Sequence, residues 1–280
     1  PNKKREVFLM IIDFHTHIFP DKIAQAAIHK LASLIQLEPS MNGTADGLHR
    51  SMEDAGVDVS VVLPPVTDPH QYASITRFAC FLNEQAQKAS PDSTRVISFA
   101  GMHPDCSDYS EKLKEIKSLG FAGIKLHPDY QDALFNDIRY KRILYKATEL
   151  DLACVTHTGF DVYSPNLIHC TVDMILEVLE DVHPSRLVLA HMGNNQHLDE
   201  VEEKLIGKDV YFDTAFTITD ADPAQLTRMI QNHGADKILF GTDAPWTSQK
   251  EAVKRLSSLP LTEEEKEKIF WKNAASLLHL

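Results

Sequence analysis

Six of the chain's 14 histidines fall at the end of a short Val-, Ile- or Leu-rich run or just past it: His15, His17, His103, His127, His157 and His191. Imidazole is the side chain most often used as a metal ligand or a proton shuttle near neutrality. His15 and His17 are two apart in an extended run, so a side-chain period of two points both the same way and lets them grip one ion. Asp243 ends another such run, in Phe240-Gly-Thr-Asp-Ala-Pro-Trp246. A lone His-x-His pair or a lone strand-end Asp has ordinary explanations as a packed pair or a helix cap. Four histidines (His15, His17, His157, His191) and Asp243 at the ends of four different runs are hard to explain as packing. Neutral imidazoles with one carboxylate suit zinc, iron or manganese and leave room for water.

Positioning such a set requires strands whose ends converge. Eight apolar runs, at residues 10–15, 59–63, 96–100, 123–127, 152–157, 187–191, 210–213 and 238–243, alternate with longer stretches of helical period. Their spacing of about thirty residues is that of a βα unit, and no Pro/Gly/Ser-rich linker divides the chain. The reading is one α/β domain over residues 10–280, a (β/α)8 TIM barrel, with residues 1–9 as an upstream or non-native extension. An open sheet of fewer strands is the competitor, and it too would place ligands at the strands' carboxyl ends. In a barrel the eighth strand lies beside the first, which brings Asp243 to His15 and His17. Ser110 and Gly120 bracket one helix, and Thr262 with three following glutamates opens the last, whose Ile269, Phe270, Ala274, Leu277 and Leu278 form a core stripe. Long connections at 19–56 and 67–94 lie where loops would cover the barrel mouth.

Composition excludes several classes. With 28 Lys+Arg against 40 Asp+Glu the chain carries a formal charge of −12, and no basic stripe invites nucleic acid. Disorder is ruled out by 43% hydrophobic residues. Lys3, Lys4 and Arg5 before residues 7–12 imitate a signal peptide, but Asp13 ends the apolar run too soon. No stretch reaches the length of a membrane span. The four scattered cysteines suggest neither a zinc knuckle nor a disulfide framework, so a cytoplasmic location is expected.

The pieces Ile12-Asp-Phe-His-Thr-His17, Gly123-Ile-Lys-Leu-His-Pro128, Thr156-His-Thr-Gly159, Ala190-His-Met-Gly193, Gly241-Thr-Asp-Ala-Pro-Trp246 and Asn273-Ala-Ala-Ser-Leu-Leu278 resemble the amidohydrolase superfamily. Within it they resemble the amidohydrolase-related branch, which includes decarboxylases of aminocarboxymuconate semialdehyde and of resorcylate, and lactone hydrolases of pyrone-dicarboxylate. They fall in family order across nearly the whole chain, a match specific for the superfamily and much less so for substrate. The resemblance implies a barrel with His15, His17, His157 and Asp243 on a divalent metal, first choice Zn2+ with Mn2+ or Fe2+ as alternatives. His191 is then a second-metal ligand or an acid/base, and a homodimer is a plausible assembly. Lys125 shares a strand face with His127, one pleat deeper. Its run looks like that of relatives in which the lysine is carboxylated to bridge two metals, whereas decarboxylase relatives keep one metal. A buried lysine has a lowered pKa and can be the neutral amine that CO2 needs; the alternative is an ammonium paired with Asp243 or with a substrate carboxylate.

The leading expectation is hydrolysis of an amide, ester or lactone of a small molecule. A metal-activated water would lose its proton to Asp243, and His191 or the metal would stabilise the oxyanion. The alternative is a lyase that decarboxylates a small unsaturated or aromatic acid, with Lys125 or Arg50 as cationic anchor, although Arg50, mid-helix, reads first as a solvated charge and only more rarely as an anchor. A binding protein on a decayed enzyme fold is the third reading, disfavoured by the intact ligand set. His127, Trp246 and Asn194 are candidate substrate contacts, with Phe19, Asn195 and His103 as weaker ones. His29, His49, His70, His169, His183, His197, His233 and His279 carry no assignment.

Overall fold

Runs of Val, Ile and Leu too short for helices become strands because a parallel sheet covered on both faces buries every residue of the run. The computed structural model describes residues 10–280, so the expected extension over residues 1–9 lies outside the described residues. Among them the strands are β1 (Ile12–Thr16), β2 (Val59–Val62), β3 (Arg95–Ser98), β4 (Ala100–Gly101), β5 (Gly123–Leu126), β6 (Ala153–Thr156), β7 (Leu187–Leu189), β8 (Tyr211–Asp213) and β9 (Ile238–Leu239). All pairs are parallel, in one sheet β1-β2-β3 and another running from β4 to β9.

Two seams join these sheets. At the first, the single strand expected over 96–100 breaks at Phe99. Asn83 of the helix Tyr72–Lys88 accepts from the Ser98 amide (2.7 Å) and donates to the Ser98 carbonyl (3.1 Å), taking both groups from the ladder. At the second, the amides of Phe14, Asp243 and His17 donate to the carbonyls of Phe240 (2.8 Å), His15 (2.8 Å) and Ala244 (2.7 Å). The (β/α)8 ring is thus closed through backbone beyond β9. The strand expected over 238–243 is short because Thr214 Oγ1 bonds both the carbonyl (2.9 Å) and the amide (3.0 Å) of Gly241 in place of a strand partner.

Alternate strand residues go to two cores, the period-two rule made visible. Ile12, Phe14, Val59, Val61, Phe99, Val155 and Val188 form the inner one, while Val62, Ile124, Leu126, Cys154, Leu187 and Leu189 face the helices. Lys125 has inner-core parity. Phe99 meets Phe14 edge-on at 5.5 Å, and Gly123 makes room for it: a Cβ there would lie 2.4 Å from the Phe99 ring.

Thr262 caps the helix Glu263–Glu267 in a reciprocal box with Glu265; the chain continues through a π turn, Lys268–Lys272, into Asn273–Leu278. The whole expected stripe on it is buried. Ser110, expected as an N-cap, sits inside the helix Tyr109–Ser118, because the Lys112 amide already bonds the Asp108 carbonyl (3.0 Å) and starts the helix earlier. Of the long connections, 19–56 folds into helices Asp21–Ile35 and Ala45–Ala55 and covers the barrel mouth with Phe19, Leu31, Ile35 and Leu37. Most of 67–94 is the ordinary crossover helix Tyr72–Lys88. All four cysteines are free, and no described helix is long and apolar enough to cross a membrane.

Removing the Phe99 ring leaves a void that the closed ring cannot collapse into, so Phe99→Ala is expected to cost about 3–5 kcal/mol. Urea unfolding measures this; a loss under about 1 kcal/mol would show that the inner core does not depend on that ring.

Candidate metal and active site

The barrel's inner strand ends deliver His15 and His17 from β1, Lys125 and His127 from β5, His157 from β6, His191 from β7, Asp213 from β8 and Asp243 from beyond β9. His15, His17, Lys125, His127, His157, His191 and Asp243 line one cavity of about 350 Å³, with Phe19, Phe160, Phe216 and Trp246 among its apolar walls. Two of the polar residues sit in left-handed backbone, His191 at φ 57° and Asp243 at φ 67°. Such conformations cost about 1–3 kcal/mol each and persist where surrounding bonds over-determine them. Here the Asp243 amide is fixed on the His15 carbonyl and its carbonyl accepts from the Trp246 amide (2.9 Å).

His15 Nδ1 lies 2.8 Å from Asp213 Oδ2, and Asp213 Oδ1 accepts from the amides of His191 (3.0 Å) and Ala215 (3.1 Å). Burial, reinforced by Lys125, keeps His15 well below its usual pKa, so the ring is neutral, donates Nδ1–H to Asp213 and turns the Nε2 lone pair to the cavity. Around that lone pair stand His17 Nε2 at 3.2 Å, Lys125 Nζ at 3.3 Å and Asp243 Oδ1 at 3.5 Å. Asp243 Oδ1 is 3.0 Å from His17 Nε2. Burial pushes against the Asp243 carboxylate, but the hydrogen bond from His17 leads the interactions that outweigh it and hold it at about 2. Burial takes Lys125, only 1% exposed, down to about 8 against the pull of Asp213, Asp243 and Asp161. His15, His17 and Asp243 thus offer two nitrogens and an oxygen within 4.8 Å of one another, a donor set that fits a divalent ion.

His157 does not join that trio. Its Nδ1 meets His191 Nε2 at 3.0 Å, and its ring stacks on His127, centroids 4.4 Å apart; it groups instead with His127 and Asp161. Burial puts both rings well below their usual pKa and lifts Asp161 to about 6.

Phe19, Trp246 and His127 line the cavity as expected. Asn194 does not: it is buried against Gly159, whose φ of +85° lets the two loops approach, while Asn195 and Gln196 face the cavity. Arg50 is exposed in an outer depression beside Asp54 and Lys250, so it is no anchor here. His103 shapes its turn, its Nδ1 accepting from the Asp105 amide (3.1 Å).

Sequence reasoning missed Asp213, although it ends an apolar run of the sequence as Asp243 does and the same rule finds it. Asp13 was missed too: its carboxylate accepts from the Thr242 amide (3.0 Å) and hydroxyl (2.6 Å) and from Gln249 (2.7 Å), steadying the loop that carries Asp243. Asp129, Asp161 and His169 had no local signal, because only the packed loops bring them to His157.

A family model described as amidohydrolase matches residues 12–280. The chain belongs to the amidohydrolase family. No curated protein matches it in sequence. Among solved structures, this amidohydrolase resembles an uncharacterised TIM-barrel protein from Bordetella bronchiseptica (16% identity, TM-score 0.75, covering 96% of this chain and 98% of that one). It also resembles a dihydroxybenzoic acid decarboxylase from Polaromonas with bound manganese and the inhibitor 2-nitroresorcinol (18%, TM-score 0.71, 97% of each). A third is 5-carboxyvanillate decarboxylase from Sphingomonas paucimobilis (16%, TM-score 0.69, 98% and 100%). At these identities the likeness establishes the fold.

Partners behind a ligating imidazole typically matter 10–100-fold in metal affinity. Asp213→Asn is therefore expected to weaken Mn2+ or Zn2+ binding by about that factor with an unchanged circular dichroism spectrum. Wild-type affinity in the variant would remove Asp213 from the orientation of His15.

Proposed function

We propose that this amidohydrolase is a metal-dependent lyase that removes CO2 from a small, flat, aromatic or unsaturated carboxylic acid. The observation that carries this is the distribution of polarity in the cavity. Lys125, the only Lys or Arg lining it among the described residues, stands beside His15, His17 and Asp243, and aromatic side chains form the walls. A carboxylate suits that polar end and a planar ring suits the walls. The shared fold of the aromatic-acid decarboxylases supports the same reading.

His15, His17 and Asp243 would hold the ion, Zn2+ or Mn2+ by their donor chemistry, with Lys125 next to it. When bound, it supplies positive charge that orients the substrate's carboxylate and lowers the cost of developing negative charge. Lys125, an ammonium below about pH 8, adds a second positive contact to the same group. The bond from the ring to the carboxylate breaks, its electron pair stays on carbon, that carbon takes a proton and CO2 leaves. The proton is assigned to the His157–His191 pair: His191 Nδ1 is anchored on the Ala215 carbonyl (3.0 Å), so Nε2 is the atom that exchanges protons. Asp243 remains a carboxylate and keeps His17 in place.

One observation favours hydrolysis as the second reading. Asp243 is ionised within the donor trio and can accept a hydrogen bond from a water held there and orient it for attack, although a carboxylate held at about 2 is a weak base. Products separate the two.

Incubation with hydroxybenzoates and unsaturated acids is expected to release CO2 in step with product, while lactones and amides stay intact; hydrolysis without CO2 would overturn the lyase reading. His191→Asn is expected to lower kcat about 10²–10⁴-fold with metal content unchanged, and Asp243→Asn to lose activity to a similar extent. Because the charged lysine is the form below its pKa, kcat/KM should fall as pH rises through a value no higher than about 8; a neighbouring metal ion only lowers it. Lys125→Met should be slow throughout and lack that limb, and an unchanged limb would acquit the lysine.

A further inference from the structure

The helix Asp21–Ile35 carries more apolar surface than its packing uses. Ala24 and Ile28 are its buried residues, while Ile23, Ala27, Leu31 and Leu34 repeat at helical spacing beside them and line a cavity of about 580 Å³. Ile23 and Leu34 are left 52% and 45% exposed. Ile75 and Phe78 of the helix Tyr72–Lys88 line the same cavity, with Val62, Pro64 and Pro65 at the exit of β2. Neither proline has an N–H to offer, so the chain leaves the strand there without an amide donor. Among the described residues, exposed Lys30 is the one Lys, Arg, Asp or Glu on this lining. Apolar surface left open along a concave wall marks a ligand groove.

This apolar arm is continuous with the cavity that holds His15, His17 and Asp243, because His17, Phe19, Leu31, Pro65 and Tyr130 line both. Tyr130 links the two by ring contacts, stacked on His127 at 3.8 Å and edge-on to Tyr163 at 5.1 Å. Cavities of about 300–1,000 Å³ take drug-sized ligands. A single benzoic acid in the 350 Å³ cavity therefore leaves the 580 Å³ arm unfilled. Another cavity, of about 390 Å³, shares Asn195, Gln196, Phe216 and Asp220 with the first, but Asp199, Glu200 and Asp220 line it, and an apolar group there would strip water from carboxylates. We infer that the substrate is an acid with an extended apolar substituent, an alkyl chain or a second ring, which runs past Phe19 and Tyr130 into the arm between the helices Asp21–Ile35 and Tyr72–Lys88. The carboxylate end of this assignment rests on the lyase reading, and the arm rests on its own walls. Filling the arm releases water from both apolar surfaces, so these two helices select for the length of the substituent.

Isothermal titration of the Mn2+-loaded protein with salicylates bearing a methyl, butyl or hexyl chain, meta or para to the carboxylate, is the test. In one of the two series affinity is expected to rise about two- to fourfold per methylene, and kcat/KM for CO2 release should rise in parallel. Ala27→Phe fills the arm and should erase most of the gain from methyl to hexyl. Leu34→Gln, at a half-exposed helix position that tolerates a polar side chain, should reduce the gain and serves if the first variant fails to fold. Hexyl chains that bind no tighter than methyl in both series overturn the proposal, as does the full gain in folded Ala27→Phe or Leu34→Gln. A dimer in sedimentation that Leu34→Gln dissociates would give this face to a second copy and overturn it too. CO2 release with flat affinity keeps the lyase reading and removes the arm, whereas rising affinity without CO2 keeps the arm and removes the lyase reading. No binding by any of the acids removes both.

Discussion

The Asp243 amide bonded to the His15 carbonyl is the contact on which the site depends. It belongs to the seam that closes the ring of strands, so the bond that completes the barrel also sets the carboxylate beside the two imidazoles. No spacing along the chain could do this, since His15 and Asp243 lie at opposite ends of the sequence. The left-handed backbone at Asp243 is tolerated because the seam fixes its amide and the next loop fixes its carbonyl.

Beneath the histidines lies a layer of buried carboxylates. Asp213 orients His15 and ties down the His191 backbone, Asp13 steadies the loop of Asp243, and Asp129 stands behind His157. Burying such groups is costly unless they are hydrogen-bonded. Asp13 and Asp213 each accept several bonds; Asp129 is satisfied on one oxygen only. This layer sits on an apolar floor of Phe14, Phe99 and their neighbours, so polar and apolar halves of the barrel interior are stacked along its axis. Along β5 strand parity explains the arrangement, since Gly123, Lys125 and His127 share the inner face; on β1 Ile12 and Phe14 have the opposite parity to His15 and His17, and the register shift between Asp13 and Thr16, one extra residue against β2, turns the histidines into the cavity.

Legibility followed locality. The strand runs, the His-x-His pair, the strand-end Asp243, the capped last helix and the family membership could be read because each is written in a few adjacent residues. Asn194 was misplaced because a loop residue's direction depends on the backbone around it, here the close approach at Gly159. The third strand was read as continuous because Asn83, which interrupts it, comes from a helix fifteen residues away. Arg50 is exposed, as expected of a solvated mid-helix charge, and only its rarer reading as an anchor fails, because sequence shows a charge without showing which way its helix faces.

The sequence by itself determined the alternation of strands and helices and the donor chemistry available at the strand ends, because period and residue type are local properties. Only the tertiary structure decided how those donors divide. It placed His15, His17 and Asp243 around one lone pair and turned His157 towards His127, Asp161 and Asp129. The reason is that ring orientation is set by the partner on the far side of each imidazole, Asp213 for His15 and His191 for His157, and those partners arrive from other strands.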